Sequence, residues 1–118
     1  MLNNLPILIV EDEPFVAIDL AVTVEEAGGT VVGPAGSVLE ALALIGKDRI
    51  CAAILDVDLS DGDVTPVADL LISKAIPVVI HTGVGLPVSL KKRHPNLPVF
   101  IKPAKVNVLT NKLAELIR

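Results

Sequence analysis

Two acidic clusters, a hydroxyl and a lysine carry the chemistry of this sequence, because each follows directly on an apolar run. Glu11-Asp12-Glu13 follows residues 6–10, and Asp56, Asp58, Asp61 and Asp63 follow residues 51–55. His81-Thr82-Gly83 follows residues 77–80, and Lys102 follows residues 98–101. Helix dipoles and turn preferences account for Glu13, Asp61 and Asp63 without any function. They do not account for Glu11, Asp12 and Asp56, which abut apolar runs. Carboxylates sharing a pocket raise one another's pKa unless a cation is present. A hard divalent cation answers that need, and one or two carboxylates plus waters suit Mg²⁺. A carboxylate can also serve as a covalent nucleophile and form an aspartyl phosphate. The metal would neutralise charge on the moving phosphoryl group, and Lys102 and Thr82 would hold its other oxygens. The residue types therefore point to phosphoryl transfer onto Asp56.

The elements that must position these residues alternate along the chain. Residues 6–10 (Pro-Ile-Leu-Ile-Val) predict a buried strand. Residues 13–27 predict a helix opened by Pro14 and stopped by Gly28-Gly29. Residues 30–33 form a short strand. Ser37-Val-Leu-Glu40 is a capping box that starts a helix to Gly46, with hydroxyl and carboxylate each taking a backbone N–H. Strands follow at 51–55, 77–80 and 98–101, with helices at 64–73, 86–94 and 105–117. Residues 56–63 and 81–85 are expected as loops. Five β-α units with strands apolar on both faces predict an α/β fold, a doubly wound five-stranded parallel sheet. Ligands of such sheets bind beyond the carboxyl ends of the strands, where the reactive residues lie.

Composition bounds the rest. The chain has 118 residues, 52% of them hydrophobic, yet its only aromatic side chains are Phe15 and Phe100. One domain is expected, residues 1–118, with a core of Val, Ile, Leu and Ala and no output domain. High hydrophobicity with a net charge of −4 excludes disorder and argues against general nucleic-acid affinity. The single Cys51 suggests a reducing compartment. Neither a membrane span nor a signal peptide is visible, so a cytoplasmic location is expected.

Taken together, Ile9-Val10-Glu11-Asp12-Glu13, Leu55-Asp56, Thr82-Gly83 and Lys102-Pro103 resemble the response-regulator receiver (CheY-like) domains of two-component signalling. The resemblance covers the whole chain and implies the flavodoxin-like (βα)5 receiver fold. It implies Asp56 as phospho-acceptor, Asp12 as direct Mg²⁺ ligand, Glu11 acting through water, and the Asp58 backbone carbonyl completing the protein ligands. Thr82 would bond the phosphoryl group, Lys102 would pair with one of its oxygens, and the Lys102–Pro103 peptide would be cis. The donor would be a phosphohistidine on a sensor histidine kinase or a histidine phosphotransfer protein. A downstream protein target would meet the 86–118 surface, with the chain a monomer or weak homodimer and not a dedicated metabolic enzyme.

The sequence departs from the family at Val99, where receivers usually place a switch aromatic; Phe100 is one residue late and so faces the other side. Ser60 replaces a common Pro. The stretch from Pro77 to Gly85 is similar to the single-domain FAT-GUY subgroup, which also lacks that aromatic. His81 is expected to point away from the pocket as a packed side chain, and Cys51 to be a small buried hydrophobe. Lys91-Lys92-Arg93 reads equally as a solvated face or a docking patch. Two alternatives stand beside the receiver. Asp56-Val-Asp58 resembles the start of haloacid-dehalogenase-type phosphatases, with Asp58 as acid/base, and a pseudo-receiver would bind partners without phosphorylation.

Overall fold

The computed structural model describes residues 1–117; Arg118, the last residue of the expected partner surface, lies outside them. The chain runs β1 (Pro6–Val10), α1 (Pro14–Glu26), β2 (Thr30–Ala35), α2 (Val38–Lys47) and β3 (Ala52–Leu55). A ribbon of β4 (Asp58–Leu59) and β5 (Gly62–Asp63) precedes α3 (Thr65–Ser73). Then come β6 (Val78–Thr82), α4 (Val88–Arg93), β7 (Val99–Ile101) and α5 (Val106–Ile117). The five longer strands form one parallel sheet in the order β2-β1-β3-β6-β7. The order reverses between β1 and β3, which opens a crevice beyond their carboxyl ends.

Alternation along the strands makes two cores. Leu8, Val10, Ala53, Leu55, Val78 and Ile80 face α2, α3 and α4 through Ala41, Ile45, Val67, Leu71 and Leu90. Ile7, Ile9, Ala52, Ile54 and Val79 face α1 and α5 through Leu20, Val24, Leu109 and Leu113. The buried apolar side chains among the described residues are all Leu, Ile, Val or Ala. Phe100 only packs against the second core from its margin, and Phe15 is 88% exposed on α1. No described helix is long and apolar enough to cross a membrane.

The punctuation residues act as their chemistry dictates. Pro14 opens α1, and Gly28 ends it at φ 88°, a left-handed conformation that a side chain would strain. Several expectations are corrected. β2 and β6 each run two residues further than the apolar pattern suggested, so His81 and Thr82 belong to a strand. Residues 56–63 contain a ribbon instead of a plain loop. Only half of the capping box forms: the Ser37 hydroxyl accepts the Glu40 N–H at 3.0 Å, while the Glu40 carboxylate accepts the Ser37 hydroxyl instead of a backbone N–H. The border strands are not buried on both faces. The six-residue α4 is too short to cover β7, and Val99 and Ile101 are exposed.

Candidate functional site

Register brings the strand ends together. Val10 pairs with Leu55, so Glu11 and Asp56 emerge side by side; Thr82 pairs with Ile101, so Lys102 follows beside them. Glu11 and Asp56 are buried, Asp12 is exposed, and one carboxylate oxygen from each lies within 4.8 Å of the others. Asp12 and Asp56 border a cavity of about 270 Å³, lined further by Glu13, Asp58, Thr82, Gly83, Val84 and Lys102. The residues predicted for the site thus converge, with Asp58 contributing from the ribbon. Its side chain is not one of the three clustered carboxylates, although it lines the same cavity as Asp56.

Lys102 is the cation of the cluster. Its Nζ lies 3.1 Å from Glu11 Oε1, 3.4 Å from Asp56 Oδ2 and 3.7 Å from Glu13 Oε1. Asp56 Oδ1 accepts the Val57 N–H at 2.8 Å, which fixes that oxygen and leaves Oδ2 to Lys102. Glu11 Oε2 accepts the Glu13 N–H at 3.2 Å. Burial pushes the Glu11 carboxyl up to about 7, with neighbouring Asp56 adding to the rise; the Glu13 N–H and Lys102 pull the other way and lose. In Lys102 the balance is reversed. Burial opposes its charge, but the Glu11 contact and the fields of Glu11, Asp56 and Glu13 hold the ammonium above its ordinary value.

Thr82 is fully buried, and its Oγ1 accepts the Val84 N–H at 3.2 Å, which ties the hydroxyl to the loop that closes the cavity. On the opposite face His81 is 4% exposed, its cross-strand neighbour is Phe100, and neither ring nitrogen has a hydrogen-bond partner. Burial, reinforced by Lys102, lowers its pKa against the smaller pull of Asp56 and Glu13. Lys102–Pro103 is cis. Cys51 is half-buried instead of a core residue. Arg93 leaves the basic run to pair with Asp69 of α3 at 2.7 Å, with His94 3.1 Å from the same carboxylate, while Lys91 and Lys92 are exposed.

Two acids take partners that their sequence positions do not announce. The helix dipole is a sufficient local explanation for Glu13, yet its side chain makes no cap and lies 3.7 Å from Lys102 Nζ. For Asp61 helix-dipole and turn preferences are a sufficient local explanation, yet its carboxylate accepts the N–H groups of Val38 and Leu39 on α2. A carboxylate two residues from Glu11 was a signal for the first; nothing local signalled the second. Asp63 behaves as expected, accepting the Thr65 N–H at the start of α3.

No family model matches the chain. Among solved structures it is similar to SdrG from Sphingomonas melonis Fr1 at 37% identity, covering 100% of both chains with a TM-score of 0.81. The BeF3-activated conformation of SdrG from Pseudomonas melonis Fr1 is matched at 40% identity, again over 100% of both chains, with a TM-score of 0.75. The response regulator PhyR from Brucella abortus is 30% identical, covering 95% of this chain and 47% of that one, with a TM-score of 0.77. The Phyllosphere-induced regulator PhyR of Methylorubrum extorquens is 39% identical over 80 residues, 65% of this chain and 30% of that protein, so the chain spans under a third of it. Fold, strand order and full-length similarity agree, and the chain belongs to the receiver domains of response regulators.

Proposed function

We propose that residues 1–118 work as one receiver module that accepts a phosphoryl group on Asp56 from a protein phosphohistidine and signals through protein contacts. The observation that carries this reading is the buried Asp56 carboxylate, held by Val57 and Lys102 at a cavity that Thr82 also lines. A relative 40% identical over its full length takes a BeF3-activated conformation, and beryllofluoride on a carboxylate mimics an acyl phosphate. In the transfer an Asp56 oxygen attacks phosphorus, the P–N bond to the donor imidazole breaks, and the imidazole nitrogen keeps the electron pair. Lys102 would balance charge on a phosphoryl oxygen, and the Thr82 hydroxyl would bond another.

Mg²⁺ fits the site. The donors are hard oxygens, and Glu11, Asp12 and Asp56 each offer a carboxylate oxygen within 4.8 Å of the others. Asp12, Asp56 and the Asp58 carbonyl would hold the ion, with Glu11 acting through water. When bound it would neutralise the phosphoryl oxygens. The donor would dock where Phe15, Ile18 and Val22 expose an apolar row on α1, next to Glu13. The downstream target would meet the 86–118 surface, where Val88, Val99 and Ile101 are exposed. A monomer or weak homodimer in a cytoplasmic setting completes the proposal.

Incubation with Mg²⁺ and acetyl phosphate should add the mass of one phosphoryl group to the intact protein, and Asp56→Asn should not acquire it. Wild-type protein left unmodified by acetyl phosphate, phosphoramidate and phosphorylated kinases alike would sink the reading.

A further inference from the structure

The ribbon of β4 and β5 cannot hold itself. Two residues per strand make too few bonds for a hairpin to persist in water, yet this ribbon presents Asp58 to the acid cavity. Its root is secured by the Val64 N–H, which donates to the Val57 carbonyl at 2.9 Å, and by burial of Val57 and Leu59. Its tip is secured from outside. Both oxygens of the Asp61 carboxylate accept backbone N–H groups of the first two residues of α2, Val38 at 2.7 Å and Leu39 at 3.1 Å. Next to it the Ser60 hydroxyl donates to the Gly36 carbonyl at 3.2 Å. Gly36 in turn lies against the acid site, since a Cβ built there would sit 3.9 Å from the Asp12 Cα and 4.0 Å from the Glu11 carbonyl oxygen. Ribbon tip, β2–α2 turn and Asp12 therefore form one stack.

Helix capping alone does not require this arrangement. Ser37 already caps α2 by taking the Glu40 N–H, whereas Asp61 reaches the helix from 23 residues away. Its bonds are charge-assisted and lie at the positive end of the helix dipole. We infer that Asp61 is a positioning residue: it ties the ribbon to α2 and so sets the Asp58 backbone beside Asp12 and Asp56. The consequence for metal binding rests on the Mg²⁺ reading of the cavity; the tether itself does not.

Ser37→Ala is the matched control, because it removes a cap from the same helix and leaves the tether. In metal-free protein followed by amide hydrogen exchange, Asp61→Ala should speed exchange at Gly62, Asp63 and Val64 by about tenfold, while Ser37→Ala leaves those amides protected. Asp61→Asn keeps one acceptor oxygen and should recover part of the protection. In a Mg²⁺ titration read by NMR, Asp61→Ala should weaken Kd about tenfold, the low end of what losing a ligand-orienting residue costs, and Ser37→Ala should stay near wild type. Ribbon amides exchanging at wild-type rates in Asp61→Ala, or loosened equally by Ser37→Ala, would overturn the inference. Wild-type protein with no saturable Mg²⁺ response would instead remove the reading of the cavity, and ribbon exchange would still decide the tether.

Discussion

At the scale of single residues the acid site is a contest between burial and one lysine. Glu11 loses it, with its carboxyl raised from 4.5 to about 7, and the sign of the consequence follows. A carboxyl whose folded pKa lies above its unfolded value binds its proton more tightly when folded. The stability it gives is complete below 4.5 and is lost as pH rises toward 7. His81 acts the other way, since its lowered pKa makes the fold lose stability as pH falls through 6.5. Comparison with Glu11→Gln isolates the carboxyl. In metal-free protein, the stability difference between wild type and Glu11→Gln should shift against wild type between pH 5 and pH 8, read from urea midpoints by circular dichroism; a flat difference would refute the raised pKa. The main site residues were legible because Glu11, Asp12, Asp56, Thr82 and Lys102 each stand at the end of an apolar run. Glu13 and Asp61 were not, because an acid near a helix start has a sufficient local explanation and only the folded chain shows which partner it takes.

At the scale of elements, α1 shows how a helix can be apolar on two faces and buried on one. Leu20 and Val24 enter the core with Leu109 and Leu113 of α5, while Phe15, Ile18 and Val22 remain outside. Side-chain size therefore inverts its usual effect. Leu20→Ala should cost about 2–5 kcal/mol, and Phe15→Ala, although it removes far more surface, should stay within about 0.5 kcal/mol. Chemical unfolding of both variants checks this, and a large loss in Phe15→Ala would mean that the ring is packed. The order of elements was readable because Pro14, Gly28, Ser37 and Pro103 mark their borders by backbone chemistry. The ribbon was not, because Asp58, Asp61, Gly62 and Asp63 have no strand preference and the tip is held by bonds from Ser60 and Asp61 to distant residues. The last two residues of β6 were missed for a related reason: His81 and Thr82 are polar, yet the sheet buries them between β3 and β7.

At the scale of the whole molecule, the site proposed for phosphoryl transfer also bears on stability. Three clustered carboxylates destabilise the fold that gathers them, and a cation that binds only the folded chain returns that stability by mass action. Mg²⁺ at about 100 times its Kd should stabilise the protein by about 2.7 kcal/mol. A thermal melt should show the rise, a chelator should reverse it, and Asp12→Asn should abolish it; an equal rise in Asp12→Asn would place the ion elsewhere. The two borders of the sheet have a separate consequence. A border strand offers unpaired amides to any other chain and can seed edge-to-edge aggregation. Here β2 carries Pro34 within it, and Pro98 and Pro103 flank the short β7; these three prolines cannot donate a backbone hydrogen bond. A chain this rich in Val, Ile and Leu thus leaves few ladder positions open to a neighbour, and keeps its strands to itself at both edges.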